Sequence, residues 1–353
     1  MLNMEELIAR GQESGASDIH IVCGLPVKCR VDGSIRSLTT EPLSHEDCEA
    51  YARALAGDEY AAMERIGELD LSRSFLCGAR TRINLFRQRG AVSAAIRILA
   101  DHIPELEELE LPPVVSEFPD YRSGIVLVTG ETGSGKSTTL AALLNRINHT
   151  RKSHIITLED PIEYLYTPDQ CIINQREIGT DTRSYADGLR AILREDPDVI
   201  LIGEMRDLPT IETALTAAET GHLVFATLHT NSAADSIDRM VSVFPEGQQR
   251  QIRLQVSATL RAIDSQQLLP RKSGRGRAAA CEVMVVSSAI RNLIREGKTP
   301  QIDSFITMNA QNGSVTMDGA LQRMVRDGTV SYETALSCCR DREAFQSGAN
   351  RRF

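Results

Sequence analysis

The stretch GIVLVTGETGSGKST (residues 124–138) decides how the rest of the chain is interpreted. Its first part is a short apolar run of mostly β-branched residues, which is typical of a buried parallel strand. The following GETGSGKS satisfies the pattern G-x-x-x-x-G-K-[ST], whose glycines allow a tight turn that aims backbone N–H groups at phosphates. Residues 139–147 predict a helix whose amino end faces the same phosphates. Strand, loop and helix in this order predict a nucleotide-binding site.

Within this loop, two side chains have separate tasks. Lys136 supplies a positive charge for the outer phosphates of a nucleoside di- or triphosphate, and the Ser137 hydroxyl is placed to hold Mg²⁺. The residues predicted to contact the nucleotide in the loop are Gly130, Thr132, Gly133, Ser134, Gly135, Lys136, Ser137 and Thr138.

The composition narrows the class of protein. With 353 residues, 25% of them charged and 42% apolar, the chain is long enough for two globular domains. A net charge of −9 and only 4% aromatic residues argue against a motor that moves on nucleic acid. No run of 18 apolar residues occurs, and the start MLNMEELIARGQ is unlike a signal peptide. The eight cysteines form no C-x-x-C pair, so a cytoplasmic location is expected.

The first 100 residues predict a small α+β domain. Residues 3–14 have helical periodicity, and Ser44 with Asp47 is a capping signature for a helix to about residue 56. Asp32-Gly33 predicts a hairpin turn between two short strands. Residues 69–99 predict three antiparallel strands. The sheet of this domain is therefore expected to be mainly antiparallel.

Residues 101–123 contain an acidic cluster and four prolines, and this change of composition predicts an interdomain linker with few core contacts. From residue 124 to 353, strands alternate with helices, which predicts a doubly wound parallel sheet. The part after about residue 232 is predicted to be mostly helical. Two features interrupt it: the basic loop RKSGRGR (residues 271–277) and the strand AAACEVMVV. The sequence assigns no role to the basic loop, and a solvated hairpin would explain it.

Three polar side chains follow predicted strands of this sheet. In open parallel sheets, ligands bind at the carboxyl ends of strands, and Glu163, Glu204 and His229 fall just past such ends. Glu204 follows four apolar residues and a glycine, so it is predicted to support Mg²⁺ or to polarise the attacking water. Glu163 is the other carboxylate that could orient or deprotonate water. The alternatives are a solvent-facing carboxylate at a strand end for Glu204 and an acid at a helix start for Glu163.

Two further groups have weaker signals. His222 and His229 flank one strand, and a separation of seven residues places them on opposite faces unless the strand bends or ends. Four arginines crowd the last strands of the first domain: Arg82, Arg87, Arg89 and Arg97. Arginine suits phosphate clamping across a domain or subunit boundary, although solvated strand arginines are commoner.

Longer motifs resemble the secretion ATPase superfamily, whose members power type II secretion and type IV pilus machines. ITLEDPIEY (156–164) resembles its Asp box, LREDPDVILIGEMRD (193–207) its Walker B region, and ALTAAETGHLVFATLHT (214–230) its His box. The similarity runs from GASDIHI near the amino terminus to about residue 297. It is greatest to the pilus-retraction branch, because the tetracysteine zinc motif of assembly ATPases is absent and AIRNLIRE occurs at residues 289–296.

The resemblance implies a RecA-like P-loop NTPase domain with a smaller PAS-like amino-terminal domain, acting on ATP with Mg²⁺. By resemblance, Glu163 is the catalytic Asp-box glutamate, and Glu204 is the Walker B carboxylate that acts with Ser137 at the metal. His222 and His229 would sense the state of the nucleotide. One departure is modest: position 131 is Glu where many relatives have proline.

The resemblance also implies an assembly. Arg82 and Arg97 match arginines that the family brings toward the phosphates as the domains close. The expected assembly is a homo-hexamer that is peripheral to the inner membrane and not inserted in it, and that acts on a polytopic pilus platform protein, within the pilus machinery, without nucleic acid. An accessory retraction paralogue, another secretion-system ATPase and a regulator that barely turns over remain alternatives.

Residues 288–296, SAIRNLIRE, predict a helix with one apolar stripe formed by Ala289, Ile290, Leu293 and Ile294. Arg291 and Arg295 lie off this stripe. Because the resemblance ties this motif to retraction, the two arginines are predicted to transmit motion to a neighbour or to the membrane platform while contributing little to folding. The tail after Lys298 shows no resemblance from which a role could be assigned.

Overall fold

The structure, a computed structural model, describes residues 2–31, 34–99 and 102–349. The chain divides into two compact units. The first comprises residues up to 102 together with 163–165, and the second comprises 103–162 and the residues from 166 onward. The hairpin turn predicted at Asp32-Gly33 lies outside the described residues.

The first unit is a six-stranded antiparallel sheet with helices, as the α+β prediction requires. Its strands are β1 (Asp18–Ile21), β2 (Lys28–Val31), β3 (Ser34–Ser37), β4 (Glu68–Ser74), β5 (Arg80–Gln88) and β6 (Ala91–Ile98), in the order β3-β2-β1-β6-β5-β4. Its helices are α1 (Met4–Glu13), α2 (His45–Ala56) and α3 (Tyr60–Ile66). The predicted capping signature is confirmed, because the Ser44 and Asp47 side chains each accept a hydrogen bond from the other residue's backbone N–H.

The second unit is built on a seven-stranded sheet, which confirms the doubly wound fold. Its strands are β7 (Gly124–Thr129), β8 (His154–Glu159), β9 (Ile172–Glu177), β10 (Val199–Ile202), β11 (Leu223–Leu228), β12 (Leu260–Pro270) and β13 (Arg277–Val285). The spatial order is β13-β12-β7-β11-β10-β8-β9, and all neighbouring pairs are parallel except β12 with β13.

Helices cover both faces of this sheet. They are α4 (Lys136–Thr150), α5 (Tyr185–Ile192), α6 (Leu208–Glu219), α7 (Ala233–Ser242), α8 (Glu246–Thr259), α9 (Ser288–Glu296), α10 (Ile302–Met308), α11 (Met317–Arg326), α12 (Tyr332–Cys338) and α13 (Arg342–Ala349). Alternate residues of β7 enter different cores: Val126 belongs to the core that includes Leu140 of α4, whereas Leu127 belongs to the core that includes Val256 of α8. Among the described residues, no helix is long and apolar enough to cross a bilayer.

Two parts of the second unit differ from the prediction. The strand β12 lies beside β7, in the part that was predicted to be mostly helical. It was missed because buried polar residues such as Asp264 and Gln266 interrupt its apolar pattern. The basic loop is therefore the connection of the β12–β13 hairpin. The predicted linker also packs closely: Val115 and Phe118 are fully buried in the core that contains α4. The expectation of few core contacts is wrong for this segment.

Candidate active site

The phosphate-binding loop joins β7 to α4 and depends on glycine geometry. Gly130, Gly133 and Gly135 have φ values of 139°, 82° and 97°, a region that side chains rarely adopt. A Cβ on Gly130 would lie 2.3 Å from the Gln266 carbonyl oxygen of β12, so only glycine fits there. The loop is therefore shaped by its neighbour strand as well as by its own sequence.

Lys136 is the first residue of α4, and only 9% of its surface is exposed. Its ammonium group donates hydrogen bonds of 2.8 Å to the carbonyl oxygens of Gly130 and Glu131. These bonds hold the positive charge over the loop, where the outer phosphates of a nucleotide bind in a P-loop.

The parallel register brings other polar residues to the same edge. Leu228 of β11 pairs with Thr129 of β7, and Ile202 of β10 pairs with Ala226 of β11, so the carboxyl ends of the three strands are neighbours. The Gly130 N–H donates to the Leu228 carbonyl at 3.3 Å. The residues that follow these strands therefore share one edge of the sheet, as predicted.

Glu204 lies two residues past β10, with its side chain 15% exposed. The Arg206 Nε lies 2.5 Å from one carboxylate oxygen, and the His229 Nε2 lies 3.3 Å from the other. Burial raises the pKa of Glu204, but the hydrogen bond from Arg206 and the charges of His229 and Arg206 outweigh burial and lower this pKa below its ordinary value. Glu204 is therefore an ionised carboxylate at neutral pH.

The structure corrects the prediction for His222. This residue precedes β11, and Leu223 pairs with Gly124 at the start of β7, so His222 lies at the amino edge of the sheet. Six residues of strand separate it from the opposite edge, a span of about 20 Å at the usual rise per residue. Its ring nitrogen Nδ1 instead lies 2.8 Å from the Ala217 carbonyl oxygen of α6. The prediction that His222 contacts nucleotide on its own chain is wrong, and only His229 reaches the P-loop edge.

Glu163 follows β8 after the dipeptide Asp160-Pro161. The loop is held by the Ile162 N–H, which donates to a Glu177 carboxylate oxygen at 3.1 Å. Glu163 itself is exposed and groups with the first unit. Its catalytic role stays a prediction.

Arg82 and Arg97 are directly opposite each other on β5 and β6, so both side chains project from the same face of the first unit. Both residues are exposed. Arg97 also donates a 3.0 Å hydrogen bond to Asp18. Their role toward phosphates likewise stays a prediction.

Two polar residues of this edge were not singled out from the sequence. Arg206 lies in the Walker B-like motif, two residues after Glu204. Its signal in the sequence was a cation close enough to that carboxylate to pair with it. Gln266 lies in the strand that was predicted as helix, so no signal pointed to it. Its amide nitrogen donates to the Thr139 hydroxyl at 2.9 Å and to Asp264 at 2.8 Å, which links β12 to α4.

Residues 114–337 match the type II/IV secretion system protein family. The chain is 45% identical to the type IV pilus retraction ATPase PilT of Pseudomonas aeruginosa over 95% of this chain and 97% of that protein. It is 44% identical to a twitching motility protein of Neisseria gonorrhoeae, over 87% of this chain and 82% of that protein. A crystal structure of the pilus retraction motor PilT with bound ADP matches with a TM-score of 0.92 and 46% identity, covering 98% of this chain and 100% of that one.

The fold and the site define a P-loop ATPase of RecA-like architecture. The chain belongs to the type II/IV secretion system protein family.

Proposed function

We propose that this protein hydrolyses ATP to power the retraction of type IV pili, as the name of its Pseudomonas aeruginosa relative states for that protein. The observation that carries the chemistry is the ionised Glu204, held between Arg206 and His229 at the edge of the sheet that carries the P-loop. A carboxylate in this position suits orientation of the water that attacks the outer phosphate.

In the proposed mechanism, Lys136 exchanges its two carbonyl partners for phosphate oxygens, and the loop N–H groups bind the remaining phosphate charge. We assign sensing of the outer phosphate to His229, because its Nε2 contacts the Glu204 carboxylate. We assign positioning of Glu204 to Arg206, because its guanidinium group holds one carboxylate oxygen.

The residues present fit Mg²⁺, which would neutralise charge between the outer phosphates when bound. Mg²⁺ keeps several waters and needs only one or two protein oxygens in nucleotide sites. Such a site does not require a cluster of three or more metal-binding side chains, and the described residues contain no such cluster. Ser137 would supply a direct oxygen. Because both oxygens of Glu204 have partners, that carboxylate would act on the metal through water.

We also propose that the chain works as a homo-hexamer on a polytopic inner-membrane platform protein, at the cytoplasmic face of the pilus machine. The family resemblance supports this assembly. The roles of Glu163, Arg82 and Arg97 belong to the same proposal and rest on the same resemblance.

Steady-state ATP hydrolysis by purified variants tests the chemistry. We expect Lys136→Ala to lose ADP and ATP binding, because the phosphates of both nucleotides lose their main protein cation. Glu204→Ala should still bind nucleotide but hydrolyse ATP about 100-fold more slowly or worse, since it removes a group that acts mainly in the transition state. The exposed Lys152→Ala is the matched control. Normal turnover in Glu204→Ala would refute the assignment, and negligible turnover of the wild type would favour a regulator.

A further inference from the structure

The carboxyl-terminal tail, for which the sequence predicted no role, contacts the turn after β11 through Arg340. This residue lies between α12 and α13, and Asp318 of α11 accepts hydrogen bonds from the backbone N–H groups of Arg340 and Asp341, at 2.8 and 3.1 Å. Phe345, which is 2% exposed, anchors the following helix in a small core with Leu269 of β12. The backbone that carries Arg340 is therefore fixed on both sides.

The guanidinium group of Arg340 contacts three segments of the second unit. One terminal nitrogen lies 2.8 Å from the carboxylate of Glu282, a residue of β13 that is fully buried, and 3.6 Å from Asp303. The other donates a 2.8 Å hydrogen bond to the backbone carbonyl of Asn231. The second oxygen of Glu282 accepts from the Ala233 N–H at 2.9 Å. The turn that connects β11 to α7, directly after His229, is thus held from two directions.

This turn contacts the P-loop. The Asn231 side-chain amide donates to the Glu131 carboxylate at 3.3 Å, and the Glu131 carbonyl accepts from Lys136 at 2.8 Å. A proline at position 131 would have no carboxylate to make the first contact. A cavity of about 410 Å³ adjoins the contact, and its lining combines the P-loop residues 131–134 and Asn231 with Ser337 and Cys338 of the tail.

We propose that Arg340 is a positioning residue for nucleotide binding, which fixes the P-loop through Asn231 and Glu131. The inference rests on the proposed ATPase function. Arg340 does not reach the loop itself; it orders the turn, and the turn orders residue 131. Loosening this chain of contacts should weaken the binding of ground-state nucleotide more than it slows the chemical step, because none of these contacts involves Glu204.

The test separates positioning from simple neutralisation of a buried charge. We expect Arg340→Gln to raise the Kd for ADP and the KM for ATP about 5- to 10-fold, with a smaller change in kcat. Because this variant leaves Glu282 buried without its partner, it should also unfold at a lower temperature. The double variant Arg340→Gln, Glu282→Gln removes the lone charge, so its thermal stability should recover while its nucleotide affinity stays weak.

Three further variants complete the experiment. Asn231→Ala keeps the Arg340–Glu282 pair and should weaken ADP binding as well, and Arg340→Lys should recover part of the affinity. Arg326→Gln, at an exposed position of the same tail, is the control and should bind ADP normally. Wild-type ADP affinity in the double variant, measured by calorimetry, would overturn the proposal. Failure of the wild type to bind ADP would instead refute the proposed function.

Discussion

At the scale of single residues, the site is held by contacts between segments that are far apart in the chain, such as Asn231 with Glu131, Gln266 with Thr139 and His229 with Glu204. Lys136 and Glu204 were found from their motifs, because strand ends and glycine loops have recognisable patterns. The sequence did not predict that Arg206 and His229 hold Glu204, nor that Gln266 contacts the helix behind the P-loop, because these contacts join segments far apart in the chain. His222 was misplaced because the motif gives its spacing but not the edge of the sheet at which it lies.

Asp264 gives a residue-scale prediction about pH. It is fully buried on β12, next to Val128 of β7, and burial raises its pKa from 3.8 to about 7, against the opposing hydrogen bonds of Gln266 and Cys281. The folded protein thus holds this proton more tightly than the unfolded chain. Stability should fall as pH rises from about 4 to about 7 and stay reduced above that, by about 1.4 kcal/mol per unit of pKa difference.

Asp264→Asn removes this titration and keeps an acceptor for Gln266. We expect the variant to melt several degrees above the wild type at pH 8, since 1 kcal/mol shifts Tm by about 1–2 °C in a chain of 353 residues. The two Tm values should converge near pH 4. The exposed Asp120→Asn serves as the control. A Tm difference that does not change between pH 4 and pH 8 would contradict the account.

At the scale of elements, the regular alternation of strands and helices was readable where strands are wholly buried and mostly apolar, as in β7, β10 and β11. Strand β12 was not, because its buried polar residues resemble a helix surface. The edge strand β9 was also missed, since it is partly exposed and rich in polar residues. Element patterns therefore predicted the apolar centre of the sheet and the edge strand β13, and they missed β12 and the opposite edge strand β9.

Helix α9 matches its predicted apolar stripe but differs from the prediction at Arg291. The apolar stripe is confirmed, with Ile290, Leu293 and Ile294 buried. Arg291, however, is half-buried and donates hydrogen bonds of 2.9 and 3.0 Å to the carbonyls of Ser257 and Ala258, at the carboxyl end of α8. It caps that helix, which contradicts the expectation that it contributes little to folding, whereas its role in coupling stays a prediction. Arg295 is exposed and remains available for that role.

We therefore expect the two arginines to behave differently. Arg291→Ala should lower the free energy of unfolding by about 1–2 kcal/mol, because it leaves helix-end carbonyls without a charged donor. Arg295→Ala should change it by less than about 0.5 kcal/mol, as is usual for surface positions. Thermal or denaturant unfolding of both variants measures this. Equal stability of the two would show that the cap contributes nothing.

At the scale of the whole molecule, the chain divides into two compact units. The ATPase class predicted from its motifs agrees with its relatives. Mechanical function cannot be derived from the geometry of one site, since a P-loop serves many motors. We propose that hydrolysis of ATP at this site drives pilus retraction.

The most direct test replaces the native copy of this protein in its own cells with the Glu204→Ala variant and follows fluorescently labelled pili over time. Lys152→Ala is again the control, and the level of each variant is measured in the same cells. The account predicts that Glu204→Ala cells extend pili and fail to retract them, whereas control cells do both. Normal retraction in cells whose only copy is the hydrolysis-deficient variant would contradict it.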